Sequence, residues 1–342
     1  MPEDGHDIRD ILRKLSQRKD LTSAETAAVV DAYIDGHMTP VQLGAFVAAV
    51  RLKGEATSEI AGCAARMQER TRPVDLRKEN LVDLVGTGSD KVQCFNVSTA
   101  SAIVAAAAGV KIAKQVGRSL GGELGSHETL TALGVNVDVG LQTLQRCVND
   151  AGLAFLSSTT YHSVWSRLEP PLREVAFRTI FHIAGPVTQP AGARRQIVGV
   201  QDEKLVEVVA QVIKRLGGQH AMVVCGLDGL DEITISGKTK VCELAGGTIQ
   251  HYYLSPEQFG LARSQPVPVK ANTPEESALM INDVLSGHPG PARDLVVMNA
   301  GAAIRVGGFA SSLEKGVEVA KRTIDSGRAR EVLEKVIKLT QI

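Results

Sequence analysis

Leu84-Val-Gly-Thr-Gly-Ser-Asp-Lys-Val-Gln-Cys-Phe-Asn-Val-Ser-Thr-Ala-Ser101 reads as strand, glycine turn, polar loop and helix start. Leu81–Val85 is a short, mostly apolar run, after which Gly86 and Gly88 let the backbone turn tightly and approach a ligand. Asn96, Ser98 and Thr99 stand just before Ala100–Gly109, a run of small and apolar residues with the pattern of a buried helix. Such a helix start carries free backbone N–H groups and the positive end of a dipole, which suits a phosphate. An ordinary strand–turn–helix with a Ser/Thr cap would use the same residues. The stretch therefore orders the local elements and leaves their use open.

Outward from this stretch the chain changes texture. Residues 1–72 carry helical signals only: a Thr22-Ser-Ala-Glu25 capping box, a Thr39-Pro40 helix start, and Ser58–Arg70 with Ile60, Cys63, Ala64 and Met67 on one face. Thr71-Arg-Pro-Val-Asp75 reads as the crossing into a second unit, 73–342. There, short strand-like runs alternate with helical ones, the mark of α/β architecture. Predicted strands are Leu81–Val85, Val110–Ala113, Phe155–Leu156, Gln196–Val200, Ala221–Cys225, Glu232–Ile235 and Lys240–Glu243. Predicted helices include Ser98–Gly109, Ser126–Leu133, Gln142–Ala151, Glu203–Leu216, Pro274–Leu285, Asp294–Val306, Leu313–Ser326 and Arg328–Leu339. Tyr161–Pro190, with four prolines, reads as a long irregular segment, part of which joins the helical unit.

Composition narrows the function classes. Of 342 residues 44% are apolar, enough for a sizeable core, and 38 basic residues balance 38 acidic ones. That balance lacks the basic footprint of a nucleic-acid binder, and 4% aromatics offers few stacking platforms. Five scattered cysteines with no C-x-x-C pair point to reduced thiols in the cytoplasm. The polar, acidic first residues are no signal peptide, and the longest apolar run, Ala102–Val110, is too short to span a bilayer.

Three further places can carry chemistry. Asp231-Glu232 follow an apolar run and a glycine loop, and adjacent carboxylates suit Mg²⁺ completed by water and phosphate oxygens, although a solvated acidic turn looks the same. Lys114-Gln-Val-Gly-Arg-Ser-Leu-Gly-Gly-Glu-Leu-Gly-Ser126 sets Lys114 and Arg118 beside four glycines, a composition that suits a loop closing over an anion. His162, Arg167, Arg173, Arg178 and His182 gather cations in the proline-rich segment. Signatures of serine hydrolases, zinc proteases and cysteine enzymes are absent.

Taken in order, Gly-Thr-Gly-Ser-Asp90, Asn-Val-Ser-Thr99, Lys114…Arg118-Ser119…Gly125-Ser126, Arg-Thr-Ile-Phe181…Gly-Pro186…Pro190, Asp-Gly-Leu-Asp-Glu232 and Asn-Ala-Gly-Ala302 resemble the anthranilate phosphoribosyltransferase family over essentially the whole chain. The resemblance implies a small helical domain, a large α/β domain with a mostly parallel central sheet of the nucleoside phosphorylase/phosphoribosyltransferase kind, and a homodimer formed through the helical part. It implies Mg²⁺-dependent transfer of phosphoribose from phosphoribosyl pyrophosphate (PRPP) to a small aromatic or heterocyclic acceptor. Gly86, Ser89, Asp90, Asn96, Ser98, Thr99, Lys114, Ser119 and Ser126 would then bind PRPP, with Ser98, Asp231 and Glu232 at the metal.

The acceptor side departs from the family. Where the family usually has Lys-His-Gly-Asn-Arg-Ser, this chain has Lys114-Gln115-Val116-Gly117-Arg118-Ser119; Glu123 replaces a lysine; and the acceptor-facing arginine, counted from His162, falls on Leu172 with Arg173 one residue later. The second loop is instead similar to pyrimidine nucleoside phosphorylase, at Lys114, Gly117, Arg118, Leu120, Gly121 and Gly125, as is Leu172-Arg173-Glu174-Val175. Gln115, Gly117, His162 and Arg173 are the residues expected at the acceptor, which need not be anthranilate. A phosphorylase-like enzyme and a non-catalytic binding homologue are the alternatives.

Overall fold

The computed structural model describes residues 6–87, 94–118, 124–175, 177–265 and 269–341. Four helices open the chain: α1 (Ile8–Ser16), α2 (Ser23–Ile34), α3 (Pro40–Lys53) and α4 (Thr57–Arg70). Their starts are set locally. Thr22 and Glu25 exchange side-chain and backbone bonds in one capping box, and Thr39 and Gln42 do so in another ahead of Pro40. Buried Glu59 ties this group together, accepting from the backbone N–H groups of Leu21 (2.9 Å) and Ala56 (2.8 Å) and from the Lys53 ammonium (3.0 Å).

The remainder builds one seven-stranded sheet. In chain order come β1 (Val82–Gly86), α5 (Val97–Ala107), β2 (Ile112–Val116), α6 (Ser126–Ala132), α7 (Leu141–Arg146) and β3 (Leu153–Ser157). Then follow α8 (Ser158–Tyr161), α9 (Trp165–Val175), α10 (Ile180–Val187), β4 (Arg195–Gly199), α11 (Glu203–Arg215) and β5 (His220–Gly226). The chain closes with β6 (Thr239–Ala245), β7 (Thr248–Leu254), α12 (Pro274–Leu285), α13 (Pro291–Val306), α14 (Leu313–Asp325) and α15 (Arg328–Thr340). The strand order is β3-β2-β1-β4-β5-β6-β7, parallel from β3 to β5 and antiparallel at β6 and β7. The expected helical unit and mostly parallel sheet are both present.

Alternation along the strands feeds two cores. Ile197, Met222 and Val224 face α5 and the C-terminal helices, whereas Val198, Ala221 and Val223 face α11 and the apolar side chains of α1–α4. The second core also takes Leu168 and Leu172 of α9 and Ile180, Phe181 and Ile183 of α10, so these helices pack with the N-terminal group.

Two expectations are corrected, and one strand is added. Tyr161–Pro190 is mostly helical, because its prolines are accommodated: the Arg167 carbonyl, which Pro171 cannot pair, accepts from the Tyr33 hydroxyl at 3.3 Å. Glu232–Ile235 is loop, because its polar groups are bonded elsewhere. Asp228 accepts from Leu230 N–H (3.2 Å), the Thr234 hydroxyl (2.6 Å) and the Ser236 hydroxyl, while Asn299 takes both backbone groups of Ile233. Strand β7 was not expected from sequence; a two-residue Gly246-Gly247 turn with both φ positive pairs it to β6.

Replacing Glu59 by Leu should destabilise the protein by about 2–4 kcal/mol, since it strips the Leu21 and Ala56 N–H groups of their acceptor and leaves the Lys53 ammonium only Asp20 and the Gly54 carbonyl. Urea denaturation reads this directly; a loss below 1 kcal/mol would show that the helical group does not depend on this carboxylate.

Candidate active site

The strand order reverses between β1 and β4, whose ends are register partners at Gly86 and Gly199. In open α/β sheets this switch point, beyond the carboxyl ends of the strands, is where ligands bind. The carboxyl ends of β2, β1, β4 and β5, all parallel, lie along that edge of the sheet.

Lys114, on β2, is the centre of the cluster. It is buried, and its ammonium donates to the Leu84 carbonyl of β1 and to the Ser98 hydroxyl (3.1 Å) at the start of α5. Burial lowers its pKa, opposed by the charges of Asp83, Glu232 and Asp231. Helix α5 begins at Asn96, whose side chain donates to the Thr129 hydroxyl (2.9 Å) and makes no cap bond. The backbone amide of Ser98 instead meets Glu232. Burial pushes the Glu232 carboxyl up to about 8, Asp231 beside it adds to the rise, and Lys114 and the Ser98 amide pull it down.

The Asp231 backbone lies directly on the end of β4. A Cβ on Gly199 would stand 1.6 Å from the Asp231 carbonyl oxygen, so only glycine fits at that position. Among the described residues no three His, Cys, Asp or Glu side chains are grouped to hold a metal. The donors that do gather are hard oxygens, two adjacent carboxylates and the Ser98 hydroxyl. Three carboxyl groups, counting Asp83, surround one lysine, and burial raises Glu232 and Asp83; a divalent cation beside the Asp231–Glu232 pair would hold it ionised.

The acceptor-side residues are placed as follows. Gln115 donates from Nε2 to Asp83 Oδ2 (3.2 Å) and to the Pro186 carbonyl (3.3 Å), and its backbone N–H donates to Asp83 Oδ1 (3.1 Å). Burial raises Asp83 to about 6, against the pull of Lys114 and Gln115. Ser126 closes the stem of the second loop, accepting from Gly117 N–H (3.1 Å) and donating to the Gly117 carbonyl (3.3 Å). A Cβ at Gly117 would lie 3.4 Å from the buried, unbonded Ser158 hydroxyl. His162 is engaged at both ring nitrogens, with Thr71 (3.2 Å) and Trp165 N–H (3.2 Å) at Nδ1 and Thr188 (2.7 Å) at Nε2. Leu172 is buried in the helical core, and Arg173 is ion-paired to Glu169 at 2.7 Å one turn earlier on α9. Ser89, Asp90 and Ser119, expected at PRPP, lie outside the described residues.

Residues 9–71 match the model for the helical bundle domain of a glycosyl transferase family, and residues 78–330 match that family's a/b domain. An anthranilate phosphoribosyltransferase of an Anaeromyxobacter species is 42% identical over 335 residues, covering 98% of this chain and 99% of that protein. The chain belongs to the anthranilate phosphoribosyltransferase family. Another member, from Nitrosomonas europaea, is 40% identical over 331 residues, 96% of this chain and 97% of its own. The crystal structure of the Thermus thermophilus anthranilate phosphoribosyltransferase superposes with a TM-score of 0.89 at 34% identity, covering 97% of this chain and all of that one. The Saccharomyces cerevisiae anthranilate phosphoribosyltransferase, solved with PRPP and Mg, has the same fold with a TM-score of 0.84 at 24% identity, over 98% of each chain.

Asp83 was not singled out from the sequence, and Asp228 and Asn299 stood there only inside family motifs, with no role attached. A carboxylate inside the apolar run Leu81-Val-Asp-Leu-Val85 was the available signal for Asp83; Asp228 and Asn299 act through contacts that no local pattern displays.

Burial lowers His162 and His182 to about 4, so both rings stay neutral in the fold where an unfolded chain would protonate them. Their stability contribution is whole above pH 6.5 and is lost as pH falls toward 4, by about 2 kcal/mol per ring between pH 7 and 5. Asp83 and Glu232, raised, act in the opposite sense over this range. The test is therefore differential: urea unfolding of wild type against His162→Asn, whose stability gap should shrink by about 2 kcal/mol from pH 7 to 5. A gap independent of pH would mean that His162 titrates normally.

Proposed function

We propose that this enzyme transfers phosphoribose from PRPP, with Mg²⁺, to a small aromatic or heterocyclic acceptor whose binding pocket departs from that of an anthranilate enzyme. The supporting observation is the joining of Lys114, Ser98 and Glu232 at the start of α5, beside Asp231, at the sheet's switch point. As the bond between the sugar and the departing diphosphate breaks, the sugar becomes oxocarbenium-like and negative charge develops on the leaving group. The Lys114 ammonium, the Ser98 and Thr99 hydroxyls and the amides opening α5 are suited to hold that charge and to fix the donor for attack by the acceptor's nitrogen. Mg²⁺, held by Asp231, Glu232 and Ser98, would supply further charge neutralisation on the diphosphate. A protein nucleophile is not required. Gly86, Asn96 and Ser126 frame the donor loops; Ser89, Asp90 and Ser119 complete the proposed PRPP set.

On the acceptor side, Gln115, Gly117, His162 and Arg173 are the proposed contacts. Leu172 is buried where an acceptor-facing arginine was expected, and Arg173 is bonded to Glu169, which supports an acceptor held by something other than an arginine–carboxylate pair. We take residues 1–72, with part of 161–190, as one body and 73–342 as the PRPP-binding body, in a cytoplasmic enzyme.

Calorimetry with Asp231→Asn/Glu232→Gln tests the metal assignment. Mg²⁺-dependent PRPP binding should be lost while the ligand-free protein stays at least as stable, because the neutral pair no longer opposes its own burial. Retained binding would remove these carboxylates from the site. Run with anthranilate, wild type should show kcat/KM roughly 30- to 5,000-fold below an arginine-bearing relative, the equivalent of about 2–5 kcal/mol. Equal efficiency would return anthranilate as the acceptor.

A homodimer through the helical part is supported by α3, where Val41 and Leu52 are each 82% exposed and share a face with Ala45 and Ala48. Light scattering should give a dimer for wild type and a monomer for Val41→Asp/Leu52→Asp. A dimeric double variant would move the interface elsewhere.

A further inference from the structure

Asn299 sits inside α13 and is 1% exposed, a poor place for a residue that competes with helix hydrogen bonding. Its carboxamide is fully engaged. Oδ1 accepts from the Ile233 N–H at 2.9 Å, and Nδ2 donates to the Ile233 carbonyl at 3.0 Å and to the Leu295 carbonyl at 2.9 Å. Ile233 directly follows Asp231-Glu232 in the chain. One side chain thus grips both backbone groups of the residue next to the carboxylate pair.

The platform behind the grip is rigid. A Cβ on Gly301 would lie 2.7 Å from the Val317 backbone nitrogen, and one on Gly316 would lie 2.3 Å from the Gly301 carbonyl oxygen, so α13 and α14 meet backbone to backbone. Helix α13 also packs along α5, where the Ser101 hydroxyl donates to the Val296 carbonyl at 3.5 Å. The helix that carries Asn299 therefore lies against the one whose first turn bears Ser98 and Thr99. The loop is held at two other points, by Asp228 before the pair and by the close seat of Asp231 on Gly199.

We propose that Asn299 is a positioning residue that sets Asp231 and Glu232 in register with the start of α5, so that carboxylate and diphosphate ligands meet one cation in a fixed arrangement. This rests on the reading of Asp231 and Glu232 as cation ligands. Groups that orient ligands from behind typically change metal affinity tenfold to a hundredfold when removed. The Asn-Ala-Gly-Ala302 motif thereby gains a physical meaning: Asn299 grips the loop and Gly301 seats the gripping helix.

The test compares wild type with Asn299→Leu and with Asn299→Asp, which keeps the volume and the acceptor for the Ile233 N–H but loses both donors. Calorimetry reads PRPP binding across a Mg²⁺ series, circular dichroism reads the fold, and steady-state kinetics separate KM from kcat. Expected is PRPP affinity roughly tenfold to a hundredfold weaker at limiting Mg²⁺, recovering at high Mg²⁺, with the acceptor KM unchanged. A folded variant with wild-type affinity overturns the inference, as does a fall in kcat with both KM values unchanged, which is the mark of a merely structural role. Asn299→Asp carries the test if Asn299→Leu does not fold. Wild type that binds no PRPP with Mg²⁺ overturns the reading of the site itself, an outcome visible before any variant is made.

Discussion

A buried ammonium organises this molecule's functional end. Lys114 leaves water to donate to a β1 carbonyl and to the first turn of α5, and its burial is sustained by the surrounding charge of Asp83, Asp231 and Glu232. The arrangement works only if the middle of the sheet, the α5 start and the loop after β5 arrive at one point together. It also brings three carboxyl groups beside a helix's positive end, the combination on which the proposed cation and diphosphate site rests.

The residues proposed for donor and acceptor draw largely on different parts of the fold. Lys114, Ser98, Asp231 and Glu232 come from the strand ends and helix start around the sheet's centre. Gly117, His162 and Arg173 come from the second loop, the end of α8 and α9, the last of which packs with the N-terminal helices. The two meet at Gln115, which adjoins Lys114 on β2 and donates to Asp83, so a change there reaches the Lys114 cluster whereas one at Arg173 lies on a separate helix.

Much of the fold was legible because its signals are local. Capping boxes at Thr22 and Thr39, the Thr273-Pro274 start and the apolar strands opening with Leu81 depend on residues within a few positions of one another. Tyr161–Pro190 misled because proline count is a local property, whereas the Tyr33 hydroxyl that satisfies the Arg167 carbonyl comes from 134 residues away. Glu232–Ile235 misled for the same reason, its backbone being taken by Asn299 66 residues on. At the site, glycines, hydroxyls and adjacent carboxylates could be read as motifs. Asp83 could not, and Asn299 could be read only as part of a motif, since the contacts of both exist only once distant segments are packed.

The pairing of β1 with β4 has a consequence for how the enzyme comes into being. Gly86 meets Gly199 across more than a hundred residues of chain, and every segment that bears a donor group lies on one side or other of that junction. Closing so long a loop is entropically costly before the contacts it brings can repay it. No fragment, and no partly synthesised chain that stops before Glu232, contains the assembled cluster. The proposed donor cluster therefore exists only where β1 and β4 are paired.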